Sequence, residues 1–264
     1  MINTPHEVIE ITKGMALKKY NTTFGKLVIL GILAGFYIGM GGVLSSLAGA
    51  GIGGIAETNP ILPKLISGAT FPLGLMLIIL VGGELFTGNN ANLIPATIQG
   101  EIPKTYFLKN WIIIFISNFI GLIIFDYIFV YHSGIMQSEP YASYITKLAE
   151  YKTHLPWHQV FIRGIGANWL VCLAVWLGLS SQTMLGRLAG LWWPVMAFVV
   201  MGFEHSIANM FYIPTGIFHG ANVTWTAFFV DNLIPATLGN IVGGAIFVGG
   251  VYGFLYGSKK KINC

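Results

Sequence analysis

A short polar stretch inside an apolar run constrains this chain more than any other feature of its sequence. Residues 202–209 read Gly-Phe-Glu-His-Ser-Ile-Ala-Asn and place a carboxylate, an imidazole and an amide between apolar flanks. The upstream run 188–200 contains no charged residue. Such a segment is expected to lie at membrane depth, where ionisable side chains are costly and are candidates for function. Glu204 and His205 are therefore the first functional candidates.

The polar stretch has a second copy earlier in the chain. Residues 82–89 read Gly-Gly-Glu-Leu-Phe-Thr-Gly-Asn, with glycine, glutamate and asparagine at the same three places. Paired, glycine-interrupted membrane segments are typical of transport sites. We expect the helices to break at 82–83 and after Asn209. Because non-helical backbone at that depth must be satisfied by protein or by a water-filled cavity, both breaks should line a pathway.

Composition supports a membrane protein. Of 264 residues, 55% are hydrophobic and 9% are charged, whereas soluble domains carry about 25% charge. The net charge of +4 comes from scattered basic residues, which argues against a nucleic-acid partner. Cys172 and Cys264 suggest neither a disulfide nor a metal site, and we expect no metal and no cofactor. The partner implied by composition is the lipid bilayer.

The chain divides into one amphipathic segment and six apolar ones. Apolar residues at helical spacing predict a surface-lying amphipathic helix from Pro5 to Tyr20, within a cytoplasmic region 1–26. Each apolar stretch can cross a bilayer, which needs about 20 residues. We predict a single membrane channel domain over 1–264, with 257–264 as a cytoplasmic tail. The six stretches lie near 27–54, 65–98, 110–131, 160–180, 187–217 and 233–256.

The two halves of the chain form an inverted repeat. The pattern of 106–125 recurs 122 residues later at 228–247. Halves of three spans each must insert in opposite senses, so the broken second and fifth spans should meet near the membrane midplane. With the N-terminus inside, ten basic residues face the cytoplasm and four face outward. This distribution predicts that both termini lie on the cytoplasmic side of the cell (inner) membrane.

The polar side chains at the breaks suggest distinct roles. Imidazole, with an unperturbed pKa of about 6.5, can donate a proton or a hydrogen bond to an anion that has lost its water, which makes His205 the central candidate. Glu84 and Glu204 are expected to brace the breaks by accepting hydrogen bonds from free N–H groups of the helix ends. Asn89 and Asn209 are expected to satisfy loop carbonyls.

One further pairing is expected near the outer membrane boundary. Asp126 and Arg163 both fall there and could form an ion pair.

Three motifs together resemble one known family. They are Gly-Phe-Glu-His-Ser-Ile-Ala-Asn-Met at 202–210, Glu-Leu-Phe-Thr-Gly-Asn at 84–89 and Ala-Asn-Trp-Leu-Val-Cys-Leu-Ala at 167–174. In these the chain resembles the formate/nitrite transporter family over residues 14–257. The resemblance implies an all-α, aquaporin-like bundle of six membrane helices built from two inverted three-helix repeats. It also implies a homopentamer with one pore per protomer, which passes small monovalent anions of weak acids and is not an enzyme.

The resemblance also assigns a substrate pathway residue by residue. His205 resembles the family's central pore histidine, bracketed by the hydrogen-bonding residues Thr87 and Asn168. Lys152 resembles a lysine that draws anions into the outer vestibule, and Lys19 its approximate cytoplasmic counterpart. Apolar constrictions complete the pathway. The aromatic pair of the outer constriction is Phe71 and Phe198, and the aliphatic residues farther in are Leu75 and Leu85.

The choice of substrate stays open at this stage. Formate, with proton coupling through the histidine, is the first expectation, and nitrite, hydrosulfide or lactate are alternatives. Many formate-specific members carry His-Lys-x-His-His before the fourth helix, whereas this chain reads Tyr-Lys-Thr-His-Leu at 151–155. A neutral-solute pore of the aquaporin type would be expected to carry paired Asn-Pro-Ala motifs, and neither 89–91 nor 209–211 fits them. A haem-carrying subunit would need two facing axial histidines, and an ammonium channel a second midplane histidine; the sequence predicts a single well-buried histidine, which argues against both.

Overall fold

The computed structural model describes residues 2–257, which contain eleven principal helices and no β-sheet strand. A helical turn, Gly53–Ala56, precedes the second span. The helices are α1 Pro5–Tyr20, α2 Phe24–Ala50, α3 Ile61–Gly82, α4 Phe86–Asn92, α5 Ile94–Ile98, α6 Tyr106–Tyr131, α7 Tyr141–Thr153, α8 Trp157–Ser180, α9 Met184–Val200, α10 Ser206–Phe218 and α11 Trp225–Tyr256.

Six membrane spans follow from these helices. Within residues 2–257, α2, α3, α6, α8 and α11 are long and apolar enough to cross a bilayer. The remaining span is divided between α9, which has 17 residues, and α10. The second span is divided in the same way between α3 and α4. The chain is therefore a multi-pass membrane protein whose second and fifth spans are broken, as the sequence predicts.

At or next to the start of each break is a glycine in a backbone conformation that other residues rarely adopt. Gly82 has φ of +119° and Gly202 has φ of +69°. The second break lies at 201–205, so the prediction that it follows Asn209 is wrong. Asn209 lies inside α10, because that helix begins at Ser206, after the non-helical residues 203–205 that follow the turn at Gly202.

Small residues allow the helices of each half to pack closely. A Cβ atom at Gly35 of α2 would lie 2.5 Å from the Asn118 carbonyl oxygen of α6. In the second half, a Cβ atom at Gly243 of α11 would collide with the Ile165 carbonyl of α8. Helices that lack the hydrophobic drive of water associate through such backbone contact. The first and third helices of each repeat are joined in this way.

The N-terminal helix has its predicted bounds but packs against protein. Thr4 and Glu7 form a capping box at its start. Val8, Ile9 and Ala16 are fully buried. The helix therefore rests on the ends of membrane helices, whereas the sequence predicts a helix that lies on the bilayer surface.

The termini of the described chain lie together. The ring Nδ1 atom of His6 lies 2.7 Å from the carbonyl oxygen of Tyr256, at the end of α11. We call this side, with α1, the inner side, and the side of α7 the outer side. Apart from Gly257, the predicted tail 257–264 and Cys264 lie outside the described residues.

Candidate functional site

A broad vestibule of about 550 Å³ opens on the outer side and reaches His205. Helix α7, which forms part of the outer segment 132–158, supplies one wall, and α3 and α9 supply others. The wall includes Ser45, Lys64, Ser67, Phe71, Tyr144, Tyr151, Lys152, Phe198, Glu204, His205, Asn209 and Tyr212. The vestibule is large enough for a small solute with its hydration water.

Two aromatic rings form the floor of the vestibule. The ring centroids of Phe71 and Phe198 lie 5.8 Å apart at an interplanar angle of 85°, and both side chains are buried. Beneath them is a cavity of about 10 Å³, which is room for about one water molecule. Leu75, Leu85 and His205 line this cavity together with both rings. The structure thus brings these predicted pathway residues into one place.

His205 has both ring nitrogens engaged. Its Nδ1 accepts a hydrogen bond of 3.1 Å from the Ala208 backbone N–H and so caps the start of α10. Because Nδ1 accepts, the ring proton of a neutral imidazole must be on Nε2. Nε2 lies 2.9 Å from the hydroxyl oxygen of Thr87. The arrangement assigns a tautomer in which His205 donates to Thr87.

Asn168 holds Thr87 through the backbone. Its Nδ2 donates to the Thr87 carbonyl at 3.1 Å and to the Asn240 carbonyl at 2.7 Å. Both Asn168 and Thr87 are fully buried, and neither lines the vestibule or the small cavity. Within the described chain, Asn168 therefore joins α8 to α4 and α11, and it orients the Thr87 hydroxyl toward the imidazole.

Both predicted lysines form buried ion pairs. Lys152 Nζ lies 2.9 and 3.1 Å from the carboxylate oxygens of Glu204. Lys19 Nζ lies 2.6 Å from both oxygens of Glu84. The two lysines are 133 residues apart, and each is the last residue but one of its helix, α1 or α7. The inverted repeat thus includes these two outlying helices.

Amides complete both ion pairs. Asn89 donates to Glu84 at 2.8 Å and Asn209 donates to Glu204 at 2.7 Å. The predictions that the glutamates bind free helix N–H groups and that these asparagines satisfy loop carbonyls are therefore wrong. A buried carboxylate is stabilised more strongly by the charge of an ammonium group and by amide donors than by the N–H groups of a helix end, and here neutral side chains already satisfy those N–H groups.

The caps at the two breaks come from asparagines that the sequence reasoning did not assign. Asn118 accepts from the Phe86 N–H at 3.0 Å and donates to the Glu84 carbonyl at 2.9 Å. Asn240 accepts from the Ser206 N–H at 2.8 Å and donates to the Glu204 carbonyl at 2.9 Å. Both are fully buried. Their matching places in the repeated third spans were the signal that could have identified them.

The expected ion pair of Asp126 with Arg163 is wrong. Among residues 2–257 Asp126 forms no salt bridge, and it is fully buried in α6. Arg163 instead donates to the Tyr151 hydroxyl at 3.0 Å. The reason is geometric, because α6 turns Asp126 toward the protein interior while α8 turns the guanidinium toward the outer rim.

Comparisons with known proteins agree with this geometry. The model of the family described as formate/nitrite transporter matches residues 6–254. A probable formate transporter of Methanothermobacter thermautotrophicus is 40% identical, over 96% of this chain and 97% of that protein. A solved structure described as an FNT family ion channel has a TM-score of 0.84 at 27% identity, over 95% of this chain and 98% of the other.

A second solved structure is described as a pentameric formate channel with formate bound. It has a TM-score of 0.77 at 33% identity and covers 88% of this chain and 97% of the other. Together with the sequence motifs and the broken spans, these matches show that the chain belongs to the formate/nitrite transporter family.

Proposed function

We propose that this protein is a formate channel that carries the anion through one pore per protomer of a homopentamer, and that it is not an enzyme. The hydrogen bond between His205 and Thr87, placed directly beneath two aromatic rings, is the observation that carries the proposal. This pair can stabilise the anion by hydrogen bonding at the depth where the surrounding apolar side chains remove its water. We place the protein in the cell (inner) membrane with both termini cytoplasmic.

The apolar constriction creates the need for this stabilisation. An anion that passes Phe71 and Phe198 loses hydration, at a cost of several kcal/mol or more. Thr87 accepts a hydrogen bond from His205 Nε2, so the hydrogen of its own hydroxyl is free to donate to an anion that reaches this depth. The imidazole polarises that hydroxyl and strengthens its donation. Asn168 acts as a positioning residue, because it holds the Thr87 backbone.

Hydrogen bonding fits the geometry better than proton transfer from the imidazole. A neutral His205 that gave its Nε2 proton to formate would become an imidazolate, and formate is far too weak a base to take that proton. A second proton would have to be added to Nδ1, and it would break the hydrogen bond from Ala208. We therefore propose that the anion crosses as a hydrogen-bonded anion in this conformation, and that coupling to H+ requires the cap of α10 to open.

Formate is favoured by relatives whose names specify it. The archaeal relative is described as a probable formate transporter, and one solved neighbour as a formate channel with formate bound. Nitrite and hydrosulfide are alternative substrates, since both are small monovalent anions that could accept hydrogen bonds from the same donors. The chain's departure from the histidine-rich motif at 151–155 lies on the vestibule side, away from the His205 and Thr87 pair.

The test is flux in proteoliposomes with formate, nitrite and hydrosulfide in competition. His205→Asn removes the imidazole but keeps an oxygen that can cap the Ala208 N–H. Loss of one strong hydrogen bond of about 1.5–3 kcal/mol predicts a reduction in formate flux of roughly 10- to 100-fold. The matched control is His158→Ala, because His158 is exposed on the outer side.

Each outcome has a definite meaning. Reduced formate flux in His205→Asn, with normal flux in His158→Ala, would support the proposal. If the wild type preferred nitrite or hydrosulfide, that anion would be the substrate in place of formate, and the proposed site would stand. Equal formate flux in His205→Asn and wild type would remove His205 from the pathway.

A further inference from the structure

The lysine expected to draw anions into the outer vestibule is not free to do so. Lys152 is buried and holds both carboxylate oxygens of Glu204. Charges of opposite sign at 2.9 Å largely cancel for an ion several ångströms away. The pair therefore supplies polarity to the wall, and its net attraction for an approaching anion is small.

A different lysine stands on the same wall without a partner. Lys64 lines the vestibule and its side chain is exposed. Within residues 2–257 it takes part in no salt bridge and no side-chain hydrogen bond. With Lys152 and Glu204 neutralising each other, Lys64 is the uncompensated charge among the described residues that line the vestibule.

The helix places Lys64 in line with the constriction. Lys64, Ser67 and Phe71 are at positions i, i+3 and i+7 of α3 and all three line the vestibule. Residues at this spacing share one helix face. The face thus leads from an exposed ammonium group, past a buried hydroxyl, to the aromatic ring that closes the path.

We propose that Lys64 is the residue that concentrates the substrate anion at the outer mouth. A single charge in a cleft with low-dielectric walls raises the local concentration of ions of opposite sign, and added salt weakens the effect. Lys64 acts on the approach of the anion and not on its passage past His205. It therefore determines the anion concentration at which transport is half-saturated. This inference rests on the proposed anion transport and names the residue that attracts the anion.

The repeat does not duplicate this charge. The two polar stretches are offset by 120 residues, and the residue at that offset from Lys64 is Met184. Met184 begins α9 on the inner side and is exposed. Lys64 is thus a feature of the outer mouth alone, whereas the Lys–Glu pairs occur in both halves.

The test measures initial rates of formate uptake into right-side-out membrane vesicles over a range of formate concentrations. The variants are Lys64→Gln and Lys64→Glu, with Lys147→Gln as the matched control. Lys147 is an exposed lysine of α7 that does not line the vestibule. Each variant is assayed at about 20 mM and about 500 mM ionic strength, where the screening lengths differ several-fold.

We expect Lys64→Gln to raise the half-saturating formate concentration about 3- to 10-fold at low salt, with an unchanged maximal rate. Lys64→Glu should raise it further, and all variants should converge with wild type at high salt. A half-saturating concentration for Lys64→Gln equal to that of Lys147→Gln at low salt would overturn the inference. Absence of formate uptake by wild type would instead overturn the proposed function.

Discussion

His205 and Leu85 occupy corresponding positions in the two polar stretches, and the difference between them creates the site. Each stands immediately before the half-helix of its own break, α10 or α4. The imidazole caps α10, whereas Leu85 provides no side-chain cap and lines the small cavity. The surrounding ion pairs and asparagines are duplicated, so the chemistry of the pore comes from the residues at which the two halves differ.

The ion pair of Lys152 and Glu204 gives a prediction at this scale. Lys152→Met should leave the Glu204 charge buried without its partner and destabilise the protein by about 3–5 kcal/mol. Adding Glu204→Gln removes the orphaned charge and should restore most of the loss. Thermal unfolding of the detergent-solubilised protein would show this as a lowered Tm in the single variant and a recovered Tm in the double. A double variant as unstable as the single one would contradict the argument.

The broken helices are the elements that depend most on distant side chains. A short half-helix such as α4, with seven residues, is too short to be stable by itself in water. Asn118 and Asn240 hold the two breaks in place. Each accepts a hydrogen bond from one N–H of the half-helix and donates to two carbonyls, that of the glutamate in the break and that of a glycine in the first span of the same half. The N–H and C=O groups of the non-helical backbone at the breaks have hydrogen-bond partners in this way, as a membrane interior requires.

Asn240→Ala is the corresponding prediction at the scale of the element. It leaves the Ser206 N–H and the Glu204 and Gly164 carbonyls without their partner. Each unsatisfied buried group costs about 1–3 kcal/mol, so we expect a Tm lowered by several degrees and reduced formate flux. Asn222→Ala is the control, since Asn222 is exposed. Equal Tm values for the two variants would show that the cap contributes little.

At the scale of the whole molecule, the outward faces of the membrane helices are rich in exposed apolar side chains. They include Ile29, Ile112, Ile116, Ile162 and Phe254. Such faces meet either lipid or neighbouring protomers. Since one solved neighbour is described as pentameric, we propose that part of this surface is the contact between five copies.

Native mass spectrometry of the purified protein tests the assembly. We expect a complex of five times the protomer mass of 28.7 kDa. The expectation of five copies comes from the solved neighbour described as pentameric, and since the vestibule lies within one protomer, the assembly would bury apolar surface without forming the proposed path. A dominant trimer or tetramer would contradict the proposed pentamer and would leave the pathway of the single protomer unchanged.

The sequence predicts the spans and the repeat because apolar run length and internal similarity are local properties of the chain. It predicts α1 with its observed bounds for the same reason. The repeat could have pointed to Asn118 and Asn240, but the sequence does not show which groups the caps and ion pairs contact, since these join residues far apart along the chain. Lys19 meets Glu84 across 65 positions and Asn118 reaches Gly31 across 87. That Lys64 is the uncompensated charge of the vestibule likewise follows from the pairing of Lys152 with Glu204, which are 52 positions apart.

The repeated Lys–Glu pairs have a consequence for the direction of transport. Each half of the chain holds a buried ammonium–carboxylate pair with its asparagine next to a broken helix end, and the pair of the second half lines the vestibule. As a passive channel, the proposed pathway carries its anion down the electrochemical gradient in either direction. Net movement should reverse when the gradient reverses, so that the same protein exports the anion when it accumulates inside the cell and imports it when the outside supply is higher.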